Sequence, residues 1–418
     1  MKLSAFGEKF GASSGIQILM DDIGDAQASG SDMIMMGGGN PAAIPAVEDL
    51  FQKRMLQLAQ DPQQLAQMVG SYDPPQGNTA LLKDLARLFR KQLGWQVSER
   101  NIALTNGSQS GFFMLFNMFA GDFNDGSRKQ IQLPIAPEYI GYSDAGLSAN
   151  FFHAAHPQID ILDNREFKYR VQFDDIKIGS NTGAICVSRP TNPTGNVITD
   201  EEVEQLDALA RAHHVPLMID GAYGVPFPGL IYTQATPFWN DNTIVCLSLS
   251  KLGLPGVRTG VIVASEEVIQ ALSRINAIIN LASGSFGAAL VQDMVASGEI
   301  IDLSNQVVRP YYEDVLAFTQ QCLHNAMGSE VPWAMHKPEG TMFSWLWFKD
   351  MPISSQTLYE RLKVRGVIVV SGHHFFPGIK DEWQHRHECI RINFAAQSRE
   401  RVQRGIAIIA EEVRKAYT

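Results

Sequence analysis

Cysteine is scarce. Cys186, Cys246, Cys322 and Cys389 are the only four in 418 residues, too dispersed for a disulfide framework and without metal-ligand spacing. Cys186 and Cys246 fall inside apolar, strand-like runs, so buried reduced thiols of a cytosolic protein are expected. Long hydrophobic runs are missing too. No stretch approaches the about eighteen apolar residues that cross a bilayer, and Met1-Lys2-Leu3-Ser4-Ala5-Phe6-Gly7 lacks the apolar core of a signal peptide. A membrane-spanning helix is therefore excluded, and a cytoplasmic, unprocessed protein is expected. Positive charge is short: 34 Lys+Arg against 44 Asp+Glu gives a formal net charge of −10, with no basic cluster of useful length. That excludes nucleic acid as the main partner, while leaving a small anion that local groups could hold. His373-His374, His385 and His387 have no Cys or carboxylate beside them at ligand spacing, and adjacent histidines on a strand would point to opposite faces, so no metal is expected.

What is present is material for two domains. Residues 1 to about 35 carry a possible helix from Ile16 to Asp25 and end in Met35-Met36-Gly37-Gly38-Gly39-Asn40-Pro41, a backbone suited to close approach. Helical spacing runs through Val47 to Ala59 and Thr79 to Gly94, separated by the turn-rich Tyr72-Asp73-Pro74-Pro75-Gln76-Gly77. Short apolar strands follow at Ile102-Ala103-Leu104-Thr105, Gln130 to Leu133, Gly183 to Ser188, Pro216 to Ile219, Thr243 to Leu247 and Gly260 to Ala264. Helices lie between some of them, one opened by a Thr199/Glu202 capping box. This alternation predicts an α/β domain with a mostly parallel sheet flanked by helices. Beyond about residue 300 the pattern changes to a long helix from Ile300 to His324, a half-buried strand through Gly340 to Phe348, strands at Val367 to Val370 and Cys389 to Phe394, and a terminal helix from Ser398 to Tyr417. A smaller α+β domain over 301–418 is expected, joined by the N-terminal segment 1–47, with 48–300 as the large domain.

The stretch Ser248-Leu249-Ser250-Lys251-Leu252-Gly253-Leu254-Pro255-Gly256-Val257-Arg258 stands just past a strand, where sites in open α/β sheets collect. A lysine there among hydroxyls, with an arginine seven positions on, suits a nucleophilic amine beside an anionic cofactor. Ser108-Gln109, Tyr139, Asn192, Asp220 and Tyr223 also follow predicted strands, so one sheet edge would gather them all. Each has an ordinary structural reading by itself, as a cap, a turn former or a core aromatic; together they match the needs of pyridoxal phosphate. That cofactor requires a lysine, a carboxylate for its ring nitrogen, an aromatic face, donors to its ring oxygen and a cup for its phosphate.

Pro190-Thr191-Asn192-Pro193-Thr194-Gly195, Asp220-Gly221-Ala222-Tyr223 and Ser248-Leu249-Ser250-Lys251 with Arg258, in that order, resemble the class I/II aminotransferases of pyridoxal-phosphate fold type I. Met36 to Ala42, Asn101 to Ser110, Ala136 to Tyr142 and His336 to Gly340 look like the valine–pyruvate branch of that family. The resemblance implies that Lys251 holds the cofactor as a Schiff base and then moves the substrate proton, and that Asp220 pairs with the ring nitrogen. It implies Asn192 and Tyr223 at the ring oxygen, Tyr139 stacked on the ring, and Gly107, Ser108, Gln109, Ser248 or Ser250, and Arg258 around the phosphate. Tyr72 would reach the phosphate of the other subunit in a homodimer. Arg391 would bind the substrate carboxylate, with Gly39 and Asn192 lining the same end. The family aromatic sits two after the proline, which selects Tyr139 over Tyr142. The substrates implied are amino acids and 2-oxo acids with small apolar side chains, valine with pyruvate, and 2-aminobutyrate. Two alternatives use the same fold: a β-lyase or an aminotransferase of different range, separated by product analysis, and a cofactor-sensing regulator, which would need a basic winged-helix segment ahead of the glycine run.

Overall fold

The structure, a computed structural model, describes residues 1–12, 15, 17, 20–22, 24 and 32–418. Half of the helix expected from Ile16 to Asp25 falls outside these residues; the described positions 17, 20–22 and 24 are helical.

A large mixed sheet occupies the middle of the chain, in the order Ile102–Thr105, Gly260–Val263, Thr243–Ser248, Leu217–Gly221, Thr182–Ser188 and Arg128–Leu133, with Gly121–Asp122 and Phe152–Ala154 both paired to the last. Thr243–Ser248, Leu217–Gly221, Thr182–Ser188, Arg128–Leu133 and Phe152–Ala154 run parallel. The central strands are buried along their whole length, as Thr182–Ser188, Leu217–Gly221 and Thr243–Ser248 show, because helices cover both faces of a parallel sheet. Gly260–Val263 is antiparallel to both neighbours, pairing Gly260 with Ser248 and with Thr105. Its beginning therefore lies at the edge where the parallel strands end, and this carries Arg258 to the same edge as Lys251.

A second sheet, ordered Val370–Ser371, Cys389–Asn393, Phe343–Phe348, Trp333–His336, Glu166–Arg170 and Gln158–Ile161, is built mainly from the last third of the chain. The hairpin Gln158–Ile161/Glu166–Arg170 joins it from the middle of the sequence, across the boundary expected near residue 300. The N-terminal strand Ile34–Met35 pairs parallel with Val367–Ile368, tying the glycine run to the same unit.

Several elements differ from the sequence expectation. Phe343–Phe348 is buried on both faces rather than half-buried: Phe343 and Trp345 pack into the main core, Leu346 and Phe348 into a second apolar cluster with Ile390, Ile406 and Val413. The long helix begins at Glu299 and is interrupted by a π-helical turn, Ser304–Val308, before continuing as Arg309–Met327. Pro310 supplies no backbone donor at that junction, which favours the change of hydrogen-bond register. Helices Pro62–Gly70, Glu266–Ile279 and Ser285–Ser297 were not anticipated, although Asp61 and Ser265 cap the first two through their side chains. His373 and His374 lie in a 3₁₀ turn, Gly372–Phe375, so their rings stand 3.9 Å apart instead of on opposite faces.

Candidate active site

Lys251 follows the buried strand Thr243–Ser248 in a single 3₁₀ turn that closes at Gly253, φ +107°. A Cβ there would come within 2.8 Å of Val47 Cγ1, so glycine is required both for the backbone and for the space. The turn points the half-buried Lys251 into a cavity of about 190 Å³ lined also by Gly39, Ser108, Gln109, Tyr139, Asn192, Asp220, Tyr223, Ser248, Ser250, Arg258 and Arg391. The Lys251 ammonium donates to Gly39 O at 2.6 Å and stands 5.4 Å from the Tyr223 ring centre. Burial, with Arg391 and Arg258 nearby, brings its pKa down to about 7, against the pull of Asp220. A lysine so held has a large neutral fraction near physiological pH, as a nucleophile or base needs.

Asp220 lies on Leu217–Gly221, one strand over from Lys251. Its Oδ1 accepts from Ala222 N at 2.9 Å and its Oδ2 from the Tyr142 hydroxyl at 2.6 Å. Burial raises its pKa, while these two donors and Lys251 act in the opposite direction. Two neutral donors and no cation in hydrogen-bond contact make Asp220 an incomplete ion pair. Tyr142 was set aside in favour of Tyr139 at the sequence level, yet it is the one that touches Asp220. Tyr139 faces the cavity and meets Tyr142 edge-on, with ring centres 5.5 Å apart. Of the two residues between them the second is glycine because a Cβ at Gly141 would lie 2.4 Å from Tyr139 Cε1.

One end of the cavity is built for an anion. Gly107, φ +82°, precedes helix Ser108–Phe119, whose first amides have no partner within the helix. A Cβ at Gly107 would fall 2.2 Å from Arg258 Nη2, so glycine lets the guanidinium approach the helix start. Arg258 Nη1 reaches Ser250 Oγ at 3.5 Å and Pro255 O at 3.3 Å, both neutral. Ser248 Oγ accepts from Ser250 N at 3.1 Å, which leaves its own proton available to a ligand.

At the other end Arg391, on Cys389–Asn393, is 2% exposed. It lies over the rings of Phe343, 4.1 Å from the centroid, and Phe375, 5.2 Å. Nη1 donates to Asn192 Oδ1 at 2.7 Å and Nη2 to Gly37 O at 2.6 Å, while Nε has no partner. Burial lowers its pKa to about 10, the expected direction for a cation among neutral partners. Such a group is poised for a carboxylate.

Of the residues anticipated, the cavity thus brings together every one but Gly107, which shapes it from behind Arg258, and Tyr72. Tyr72 is 84% exposed and outside the cavity. Residues that the sequence reading missed are Tyr142, Ser188 and Glu138. Ser188 lines the cavity, and Glu138 is buried against it. Their signal was present only as position: Ser188 ends the strand that leads to Asn192, and Glu138 and Tyr142 flank Tyr139 in the segment after Arg128–Leu133.

The chain is 49% identical over 417 residues to the valine–pyruvate aminotransferase of Escherichia coli strain K12, covering 100% of this chain and 99% of that one. The solved valine–pyruvate aminotransferase of Salmonella typhimurium LT2 superposes with a TM-score of 0.89 at 48% identity, over 96% of this chain and 99% of that one. A solved protein of Psychrobacter arcticum 273-4 gives a TM-score of 0.96 at 46% identity, over 100% and 99%. Residues 43–409 match the family model described as aminotransferase class I and II, and the chain belongs to that family.

Proposed function

We propose that the protein binds pyridoxal phosphate and transfers the amino group of valine to pyruvate, giving 3-methyl-2-oxobutanoate and alanine, in two half-reactions that share one site. The observation that carries this reading is the convergence of a lysine of lowered pKa, an incompletely paired buried carboxylate and an arginine with an unpartnered Nε on a single cavity. The residues present fit the cofactor. Asp220 lacks only a cation, which a protonated ring nitrogen would supply, and Arg258, brought against the helix start by Gly107, would form with the free first amides a cup for a phosphate. Ser108, Gln109, Ser248, Ser250 and Arg258 would hold the phosphate, Tyr139 would face the ring, and Asn192 and Tyr223 would donate to its ring oxygen.

When bound, pyridoxal phosphate supplies an aldehyde that accepts the amino group and a ring that draws off electron density from the substrate Cα. Lys251 Nζ is the group that takes the proton from Cα of the amino acid and returns it in the reverse half-reaction. Arg391 binds the α-carboxylate and turns the Cα–H bond toward Lys251. Asp220 would hold the ring nitrogen and favour its protonated form. With Arg258 assigned to phosphate, a single arginine remains for substrate, and Ile140 and Met20 are apolar members of the lining. This favours substrates with one carboxylate and an uncharged side chain, in accord with the E. coli relative's name. Because a methyl-sized difference is worth only about 1–3 kcal/mol, 2-aminobutyrate is also expected to react. Purified protein given valine, pyruvate and pyridoxal phosphate forms alanine; no alanine, or ammonia release without oxo acid, overturns the assignment.

We further read the protein as a cytoplasmic homodimer. Its four free cysteines are buried, and no helix among the described residues is long and apolar enough to cross a membrane. Tyr72 is exposed, as are Met55, Leu56, Val69, Ile278, Ile279 and Phe286 on helices and Leu281 between two of them, and Asn276 Nδ2 to Pro75 O and Ser285 Oγ to Met68 O tie these helices to the segment around Tyr72. A second copy would cover this face. Light scattering at the mass of one chain would refute the dimer.

A further inference from the structure

From Asp220 a second polar structure runs along the cavity wall, where Ser188 is also part of the lining. The Tyr142 hydroxyl that donates to Asp220 is 3.5 Å from Ser188 Oγ, and Ser188 Oγ is 2.5 Å from Oε2 of Glu138. Oε1 of Glu138 accepts from Ser188 N at 2.8 Å, and Oε2 also accepts from Tyr139 N at 3.3 Å. Glu138 has no exposed surface, and its hydrogen-bond partners are neutral. Two carboxyls are thus buried at opposite ends of a short run of hydroxyls.

The donors along this run can be counted. Tyr142 has one proton and gives it to Asp220. Its oxygen can then accept from Ser188 only if Ser188 does not spend its proton on Glu138. A protonated Glu138 donates to Ser188 Oγ, which frees the Ser188 proton for Tyr142, and every donor then points toward Asp220. An ionised Glu138 reverses Ser188, leaves the Tyr142 oxygen without a donor and adds a second buried negative charge near Asp220. We propose that Glu138 is a positioning residue that keeps its proton at neutral pH and, through Ser188 and Tyr142, holds Asp220 as the ionised partner of a protonated ring nitrogen; the last clause rests on the cofactor reading above.

The surroundings agree. Burial is the main cause that brings the Glu138 pKa up to about 8, with Asp220 adding to it. The other groups facing the pair are Tyr139, Tyr142 and Cys186 around Glu138, and Cys246, Tyr223 and Lys251 around Asp220. The phenols and thiols are all shifted upward by burial and stay neutral, so Glu138 and Lys251 are the members of this set that change charge near neutrality.

Infrared spectroscopy reads the proton directly. At pH 7 the purified protein should show a protonated-carboxyl stretch that disappears in Glu138→Gln and survives in Asp220→Asn. No band in the wild type, or a band that survives Glu138→Gln, overturns the proposal. A second measurement follows release of pyridoxal phosphate from the holoenzyme. Glu138→Gln, which keeps a neutral donor and acceptor, should hold the cofactor within about threefold of wild type at pH 7, whereas Glu138→Ala and Tyr142→Phe should weaken it about ten- to a hundredfold. In the wild type, affinity should fall as pH rises through about 8, and Glu138→Gln should remove that fall. Equal losses in Glu138→Gln and Glu138→Ala, or an alkaline fall that persists in Glu138→Gln, refute the relay. If wild type binds no pyridoxal phosphate at all, the cofactor reading fails and the infrared band still decides where the proton sits.

Discussion

Replacing Arg391 with lysine keeps a positive charge on Cys389–Asn393 but removes the planar fork. In the native side chain Nη1 and Nη2 are already engaged with Asn192 Oδ1 and Gly37 O, and Nε is buried with no partner. A substrate carboxylate therefore gains charge-assisted hydrogen bonds in a dry site between two aromatic rings. An ammonium is a point charge that cannot reproduce the paired geometry and is harder to desolvate. Loss of one such bond is worth about 1.5–3 kcal/mol, so kcat/KM for both valine and pyruvate should fall about ten- to a hundredfold in Arg391→Lys. The assay is initial rate of alanine formation across both substrates, with 2-methylpropylamine, which lacks the carboxylate, as control for the amino-donor half-reaction. The variant should leave the slow reaction of the amine nearly unchanged. Equal losses with valine and with the amine would show that Arg391 supports the fold or the cofactor rather than the carboxylate.

Lys251 is shifted below an ordinary lysine, so its unfolded form binds more protons between pH of about 7 and the usual lysine range. Stability of the cofactor-free protein should rise with pH across that window, and Lys251→Met should flatten the rise; an identical slope in both proteins, by urea melts at stepped pH, would refute the assignment. In Gly107→Ala the new Cβ meets Arg258 and the residue is forced into a left-handed backbone, which costs about 1–2 kcal/mol. Melting temperature should drop modestly while phosphate-group affinity drops more than tenfold, read by titration with pyridoxal phosphate. Lys168 and Glu339 form a buried ion pair, and Lys168 also donates to Asn196 Oδ1 and Val197 O in the segment that follows Asn192. Lys168→Met should destabilise by less than the about 3–5 kcal/mol of a fully stranded buried charge, because Glu339 keeps Lys337 at 3.4 Å and Val197 N at 3.2 Å, and adding Glu339→Gln should recover part of that loss; no recovery in chemical denaturation would argue that the lysine acts alone.

The parts of this site that could be read from sequence are those whose position follows from strand polarity alone. A residue that follows a buried parallel strand has one edge to go to, and Lys251, Asp220, Asn192, Tyr139 and Ser108 all obey that rule. Arg258 obeys it only after a reversal: it precedes its strand, and an antiparallel Gly260–Val263 is needed to bring it round. Periodicity over four apolar residues cannot show strand direction, so Arg258 was picked out by its nearness to Lys251 in sequence, and Arg391 came from the family pattern. Phe343–Phe348 failed for a related reason, since alternation reports two faces but not that a second core covers the outer one. The hidden members are a different case. Tyr142 and Glu138 lie inside the Ala136 to Tyr142 segment, where the resemblance assigns a role to Tyr139 alone, and an acid in a turn reads as solvated unless its burial is known. What makes Glu138 notable is an energetic conflict, a carboxyl with no exposed surface whose near neighbour is another buried carboxyl, and such conflicts arise only from three-dimensional placement. Perturbed buried acids gather at functional sites, so the conflict is the pointer to function, and here it leads to Asp220, the carboxylate proposed above as partner of the ring nitrogen.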